Sequence, residues 1–175
     1  MPDDMVKYAH RANISRPLTS GEVRLARAVF GAALDVSRIK IHNRPYLIGQ
    51  GRGVAMTPNG EVWFRPEDYK PDFSRLATDS AWLIHELTHA WQLQTGRSVR
   101  FRGLAEQFGR LFGNDPYPYG ELDPARPFGS YKNEQQAAIV EDYFRLTQRL
   151  KPRYGSGELS TYRRVIPFLP NPRAQ

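Results

Sequence analysis

Ile84-His85-Glu86-Leu87-Thr88-His89-Ala90-Trp91-Gln92 is the stretch on which the reading of the whole chain turns. Trp82, Ile84, Leu87, Ala90, Trp91 and Leu93 recur at helical spacing, with Thr78 or Asp79 ahead as a cap and Gly96 as a stop, which predicts a helix over that span. It is apolar nearly all round except at His85, Glu86, Thr88, His89 and Gln92, so it belongs in the middle of a domain, where its polar groups need partners. A spacing of four puts both imidazoles on one face, where two nitrogens can reach one ion, and Glu86 sits beside them. This H-E-x-x-H pattern predicts a zinc ion on His85 and His89, with Glu86 as the general base that takes a proton from water.

A catalytic zinc needs a third protein ligand, and the sequence narrows the choice. The chain has no cysteine and four histidines, none of them after His89. Gln92 and Thr95 stand where the longer form of the motif would place Gly and His, so the third ligand is expected to be a carboxylate. Glu134, in Asn133-Glu134-Gln135-Gln136-Ala137, is the first choice because it opens the next predicted helix. Glu141, two helical turns on along the same face, is the runner-up, and Asp142 and then Asp123 follow.

Outward from the motif, Thr19 and Ser20 can cap a helix from about 20 to 34. Ile39 and Ile41 alternate with Lys40 and His42 as in a half-buried strand, which would turn His42 outward. Ala55-Met56-Thr57 and Glu61-Val62-Trp63-Phe64 face each other across Asn59-Gly60, a hairpin signature. The preceding glycines 49, 51 and 53 lack the strand-to-helix context and the Lys-Ser/Thr of a phosphate loop. A short helix is expected over 99–112, an irregular proline-rich stretch over 114–129, and a third long helix from Asn133 to about Leu150, ended by Pro152. Residues 1–17 read as an N-terminal tail, 18–150 as one domain, and 151–175 as a basic, proline-containing C-terminal tail.

Composition sets bounds on partners. The chain of 175 residues is 40% hydrophobic, enough for one packed core, and carries a formal charge of +7. The basic residues are scattered, so nucleic acid is not an expected partner; the stretch from Lys151 to Arg173 is the most basic and the best candidate for a polyanion. The acidic start MPDDMVKYAH is unlike a secretory signal and no apolar run is long enough to span a membrane. A cytoplasmic origin is expected, with export that reads no cleavable signal left open.

Several pieces in order resemble the core domain of extracellular contractile injection system proteins, and within that group the Vgr-related proteins. They are Phe30-Gly31, Asp35-Val36-Ser37-Arg38-Ile39-Lys40-Ile41-His42, Met56-Thr57-Pro58-Asn59-Gly60, the segment from Ile84 to Gln92, and Asn133 to Ala137. The resemblance implies an α+β, zincin-like fold, with a small antiparallel sheet packed on a central H-E-x-x-H helix and further helices around it. It also implies a glutamate third ligand through the E-x-x-A pattern of Glu134 to Ala137, and a peptide or protein as substrate. Metallopeptidases of this type often carry an Asp four residues after the ligand Glu to orient a zinc histidine, and Ala138 stands there instead. An edge strand, Glu61–Phe64, would pair with extended substrate, and Tyr131, Tyr119 or Tyr143 would stabilise an oxyanion. The competing expectation is a non-catalytic adaptor or cargo module of an injection apparatus.

Overall fold

Two helices, Ala77–Gln94 (α2) and Asn133–Thr147 (α3), pack along one another and carry the candidate ligands. The structure, a computed structural model, describes residues 15–97 and 115–169; the helix expected over 99–112 lies outside them. Around the central pair run Ser15–Pro17 (β1), Ser20–Phe30 (α1), Lys40–Asn43 (β2), Val62–Phe64 (β3), Gly120–Glu121 (β4), Gly155–Ser156 (β5) and Leu159–Val165 (α4). No helix among the described residues is long and apolar enough to cross a membrane.

The sheet differs from the expected antiparallel one. Its order is β1-β2-β3, with β1 antiparallel and β3 parallel to β2, so it is mixed. β4 and β5 form a second, two-stranded parallel pair. β1 also takes three residues out of the expected N-terminal tail; Pro17, which cannot donate to a ladder, is tolerated because β1 is an edge strand.

α2 is buried on almost every side from Ser80 to Gln92, as an all-round apolar helix must be. It begins at Ala77, a little earlier than its polar candidates suggested, with no side chain capping it. α1 is capped as expected: Thr19 accepts from the Glu22 amide and Glu22 returns a bond to the Thr19 amide, the two halves of a capping box. It stops at Phe30, short of the expected end, where Gly31 turns the chain.

Glu22 does more than cap. Its carboxylate is fully buried and accepts from Arg16 at 2.7 and 2.8 Å, from the Thr19 amide at 2.8 Å and from the Phe73 amide at 2.9 Å. It thereby ties β1, α1 and the approach to α2 together. Removing one member of such a buried pair leaves uncompensated charge, so Glu22→Ala should lower unfolding free energy by about 3–5 kcal/mol, measured by urea denaturation; a change within about 1 kcal/mol would show that the knot is dispensable.

The C-terminal stretch is not a tail up to residue 169. α4 buries Tyr162 and Val165, and Phe168 stacks on Phe30 at 5.0 Å and meets Trp91 at 4.5 Å. Arg163 and Arg164 remain on the solvent side. The domain therefore extends well past residue 150.

Candidate metal centre

The face of α2 that carries His85 and His89 meets the first turn of α3. His85 Nε2 lies 3.2 Å and His89 Nε2 3.3 Å from the same atom, Glu134 Oε2. These three ligand atoms all lie within 4.8 Å of one another. Nitrogen and oxygen ligands at about 2.0–2.2 Å in a tetrahedral array stand roughly 3.3–3.5 Å apart. The two nitrogen–oxygen edges match that spacing.

The hydrogen-bond partners on the far side of each ring decide where the protons sit. Gln92 is fully buried and its amide donates to the Asn133 carbonyl at 3.0 Å and to Gln136 Oε1 at 3.1 Å. A carbonyl only accepts, so the Gln92 oxygen must be the end that faces His89 Nδ1, 2.9 Å away. His89 therefore carries a proton on Nδ1 and, as a neutral ring, aims the lone pair of Nε2 at Glu134. At His85 the group facing Nδ1 is Glu141, whose Oε2 is 3.1 Å away without a well-formed hydrogen bond between them. His85 Nε2 is within hydrogen-bond distance of the same carboxylate oxygen, so the three groups converge on a point that suits a positive charge, whether a proton or a metal cation.

The electrostatics point the same way. Burial works to lower the pKa of His85, but the contacts with Glu134 and Glu141 outweigh it and push it up to about 10. His89 is shifted upward in the same manner, with burial opposed by the charge of Glu134. Glu134 is buried too, yet the facing histidines hold its carboxyl well below the usual range. The surroundings thus favour positive charge at the meeting point, and the donor set of two imidazoles and a carboxylate suits zinc.

Glu86 sits next to this cluster in the wall of a cleft of about 310 Å³ whose lining includes Gly53, Ala55, Trp82, Tyr117 and Tyr154. Burial raises its pKa, while the charges of His89 and His85 and a hydrogen bond from Thr57 act in the opposite direction. Thr57 Oγ1 donates to Glu86 Oε2 at 2.7 Å.

Other expected site residues lie elsewhere. Asp142 turns away from the cluster, accepting from Tyr119 at 2.6 Å and from the backbone amides of Arg153 and Tyr154. It neither faces the imidazoles nor orients one. Asp123 caps an exposed turn through the Ala125 amide. Of the tyrosines considered for an oxyanion, Tyr119 is committed to Asp142 and Tyr162, and Tyr131 lies under Arg126. Neither they nor Tyr143 line the cleft, whereas Tyr117 and Tyr154 do, their rings 5.5 and 6.4 Å from that of His85. Both sit in stretches without periodicity, so no local sequence signal marks them.

His42 is buried, not outward-facing: its ring stacks on Trp63 at 3.6 Å and its Nε2 meets Glu61 at 2.7 Å. Aromatic stacking and the Glu61 contact together repay what a polar ring loses on leaving water. Nor is β3 the open edge that was expected, because Met56 pairs with Trp63 through two backbone hydrogen bonds. The segment before it, Gly53, Val54 and Ala55, lines the cleft.

No protein-family model matches the chain. The type VI secretion system spike protein VgrG2b of Pseudomonas aeruginosa is 37% identical over 135 residues, which is 76% of this chain but only 13% of that protein's length. Among solved structures, the effector domain of Pseudomonas aeruginosa VgrG2b superposes with a TM-score of 0.68 at 34% identity, covering 80% of this chain and 77% of that domain.

Proposed function

The chain belongs to the family of the VgrG2b effector domain, and on that premise we propose that it is a zinc-dependent, zincin-like peptide-bond hydrolase that works as an effector associated with a secretion system. The observation that carries the reading is the convergence of His85 Nε2 and His89 Nε2 on Glu134 Oε2, with Glu86 beside them in the cleft. A zinc ion on these three residues would supply Lewis-acid polarisation of a carbonyl and of water.

The chain's own groups account for the remainder. Glu86 accepts the proton of the attacking water at Oε1, since Oε2 is engaged by Thr57. The same carboxyl then returns the proton to the leaving amine. Gln92 keeps His89 in the Nδ1-protonated form, and Glu141, 3.1 Å from His85 Nδ1, is the carboxylate placed to orient that ring when a metal takes its Nε2. Glu141 thus occupies the role for which position 138 holds only a buried methyl group. An extended peptide in the cleft would meet the Gly53–Ala55 segment together with Tyr117 and Tyr154, which line it too.

Glu86→Gln tests the reading. Removal of a general base costs about 10²–10⁴ in rate, so the variant should hold wild-type zinc by atomic absorption while hydrolysis of an unfolded protein substrate such as casein falls by at least about 100-fold. Equal activity of the two proteins, or a wild-type chain inactive on every peptide offered, would remove the hydrolase assignment.

A further inference from the structure

Glu86 is held in place by a residue from a different part of the chain, and the way it is held is dictated by sequence. Thr57 precedes Pro58, which disfavours helical backbone at position 57 and keeps it extended. After Pro58 the chain reverses: Asn59 Oδ1 accepts from the Glu61 amide at 3.2 Å and from Trp63 Nε1 at 3.3 Å. Gly60 supplies the φ of +84° that closes the turn. A side chain there would be strained in backbone and would crowd Leu93, 3.3 Å from a built Cβ. The returning strand pairs Met56 with Trp63, their two backbone hydrogen bonds measuring 3.1 and 2.8 Å. The turn from Met56 to Trp63 is therefore closed by one backbone bridge and the Asn59 bonds, and Thr57 is the polar side chain that it delivers, buried, to Glu86 at 2.7 Å.

A carboxylate that works as a base needs one oxygen aimed at the proton it takes. Glu86 is a buried side chain at the wall of the cleft, and its two oxygens are equivalent until something distinguishes them. We propose that Thr57 is the positioning residue of the general base: its hydroxyl claims Glu86 Oε2, fixes the carboxylate plane, and presents Oε1 to the water. This rests on the hydrolase reading above and adds to it a residue that the H-E-x-x-H motif does not contain.

Thr57→Val keeps the branched shape and removes the donor; Thr57→Ser keeps the donor and trims the methyl group. With the full chain, Thr57→Val should lower kcat by about 10–100-fold, a part of what a general base supplies, with KM and zinc content close to wild type. Thr57→Ser should recover most of the loss. A Thr57→Val protein with wild-type kcat, or a Thr57→Ser protein as impaired as Thr57→Val, would overturn the proposal. Crystal structures of the wild type and Thr57→Val give a readout that needs no turnover. The Glu86 carboxylate should leave its wild-type orientation in the valine protein; an unchanged carboxylate overturns the positioning role. Were the wild type itself inactive on all peptides, the hydrolase reading would fall and these structures alone would still decide whether Thr57 sets Glu86.

Discussion

His85→Ala and His89→Ala proteins are expected to purify without zinc, whereas the wild-type chain should hold about one ion per chain. The expectation follows from how few ligands there are. Zinc held by protein side chains is worth about 10–16 kcal/mol in small four-ligand sites, so one ligand carries roughly 3–4 kcal/mol. Losing one of three would weaken binding by about 10²–10³-fold, enough to lose the ion during dialysis. Competition with a chromophoric chelator measures the loss, and circular dichroism checks that the fold persists. His42→Ala serves as the contrast: that imidazole is stacked on Trp63 and bonded to Glu61, away from Glu134, and zinc content should stay at wild-type level. A wild-type protein that takes up no zinc, or histidine variants that keep it, would end the metal assignment.

How much of this was legible beforehand depends on whether the signal was local. α2 could be read because eighteen residues repeat one apolar period and carry the two histidines within it. Glu134 could be read because the absence of cysteine and of any histidine after His89 left carboxylates alone, and it stands in the first turn of the next periodic segment. What escaped depends on long-range contact. Nothing in Lys40-Ile41-His42 says that Trp63 will slide over the imidazole, for β2 and β3 meet only after an irregular excursion from residue 44 to residue 61. α4 is only seven residues long and is followed by Pro167, so it read as tail; its helix exists because Tyr162 and Val165 find a core to enter. Thr57 looked like one residue of a hairpin, and its role appears only when the hairpin is laid against α2. The mixed sheet was missed for a related reason, since strand alternation says which face is buried but not which neighbour runs parallel.

The two glutamates of α3 should separate cleanly in their effects on metal. Glu134 Oε2 is the point on which both imidazole Nε2 atoms converge, while Glu141 meets the other ring nitrogen of His85, Nδ1, two turns further along the helix. One is placed to hold an ion and the other to orient a residue that holds it. Glu134→Ala should therefore weaken zinc binding by the full ligand increment of about 10²–10³-fold. Glu141→Ala should cost about 10–100-fold, the usual effect of removing a group that orients a metal-bound histidine. Glu141→Gln retains an acceptor for the Nδ1 proton and should fall between Glu141→Ala and the wild type, whereas Glu134→Gln, which replaces an anionic ligand by a neutral amide, should stay near Glu134→Ala. A structure with zinc should place the Glu134 carboxylate about 2.0–2.2 Å from the ion and leave Glu141 on the histidine. If Glu141→Ala proved the more damaging, or if Glu141 were found on the metal, the helix register that brings Glu134 between the two imidazoles would be wrong for the bound state, and with it the tetrahedral spacing on which the zinc reading stands.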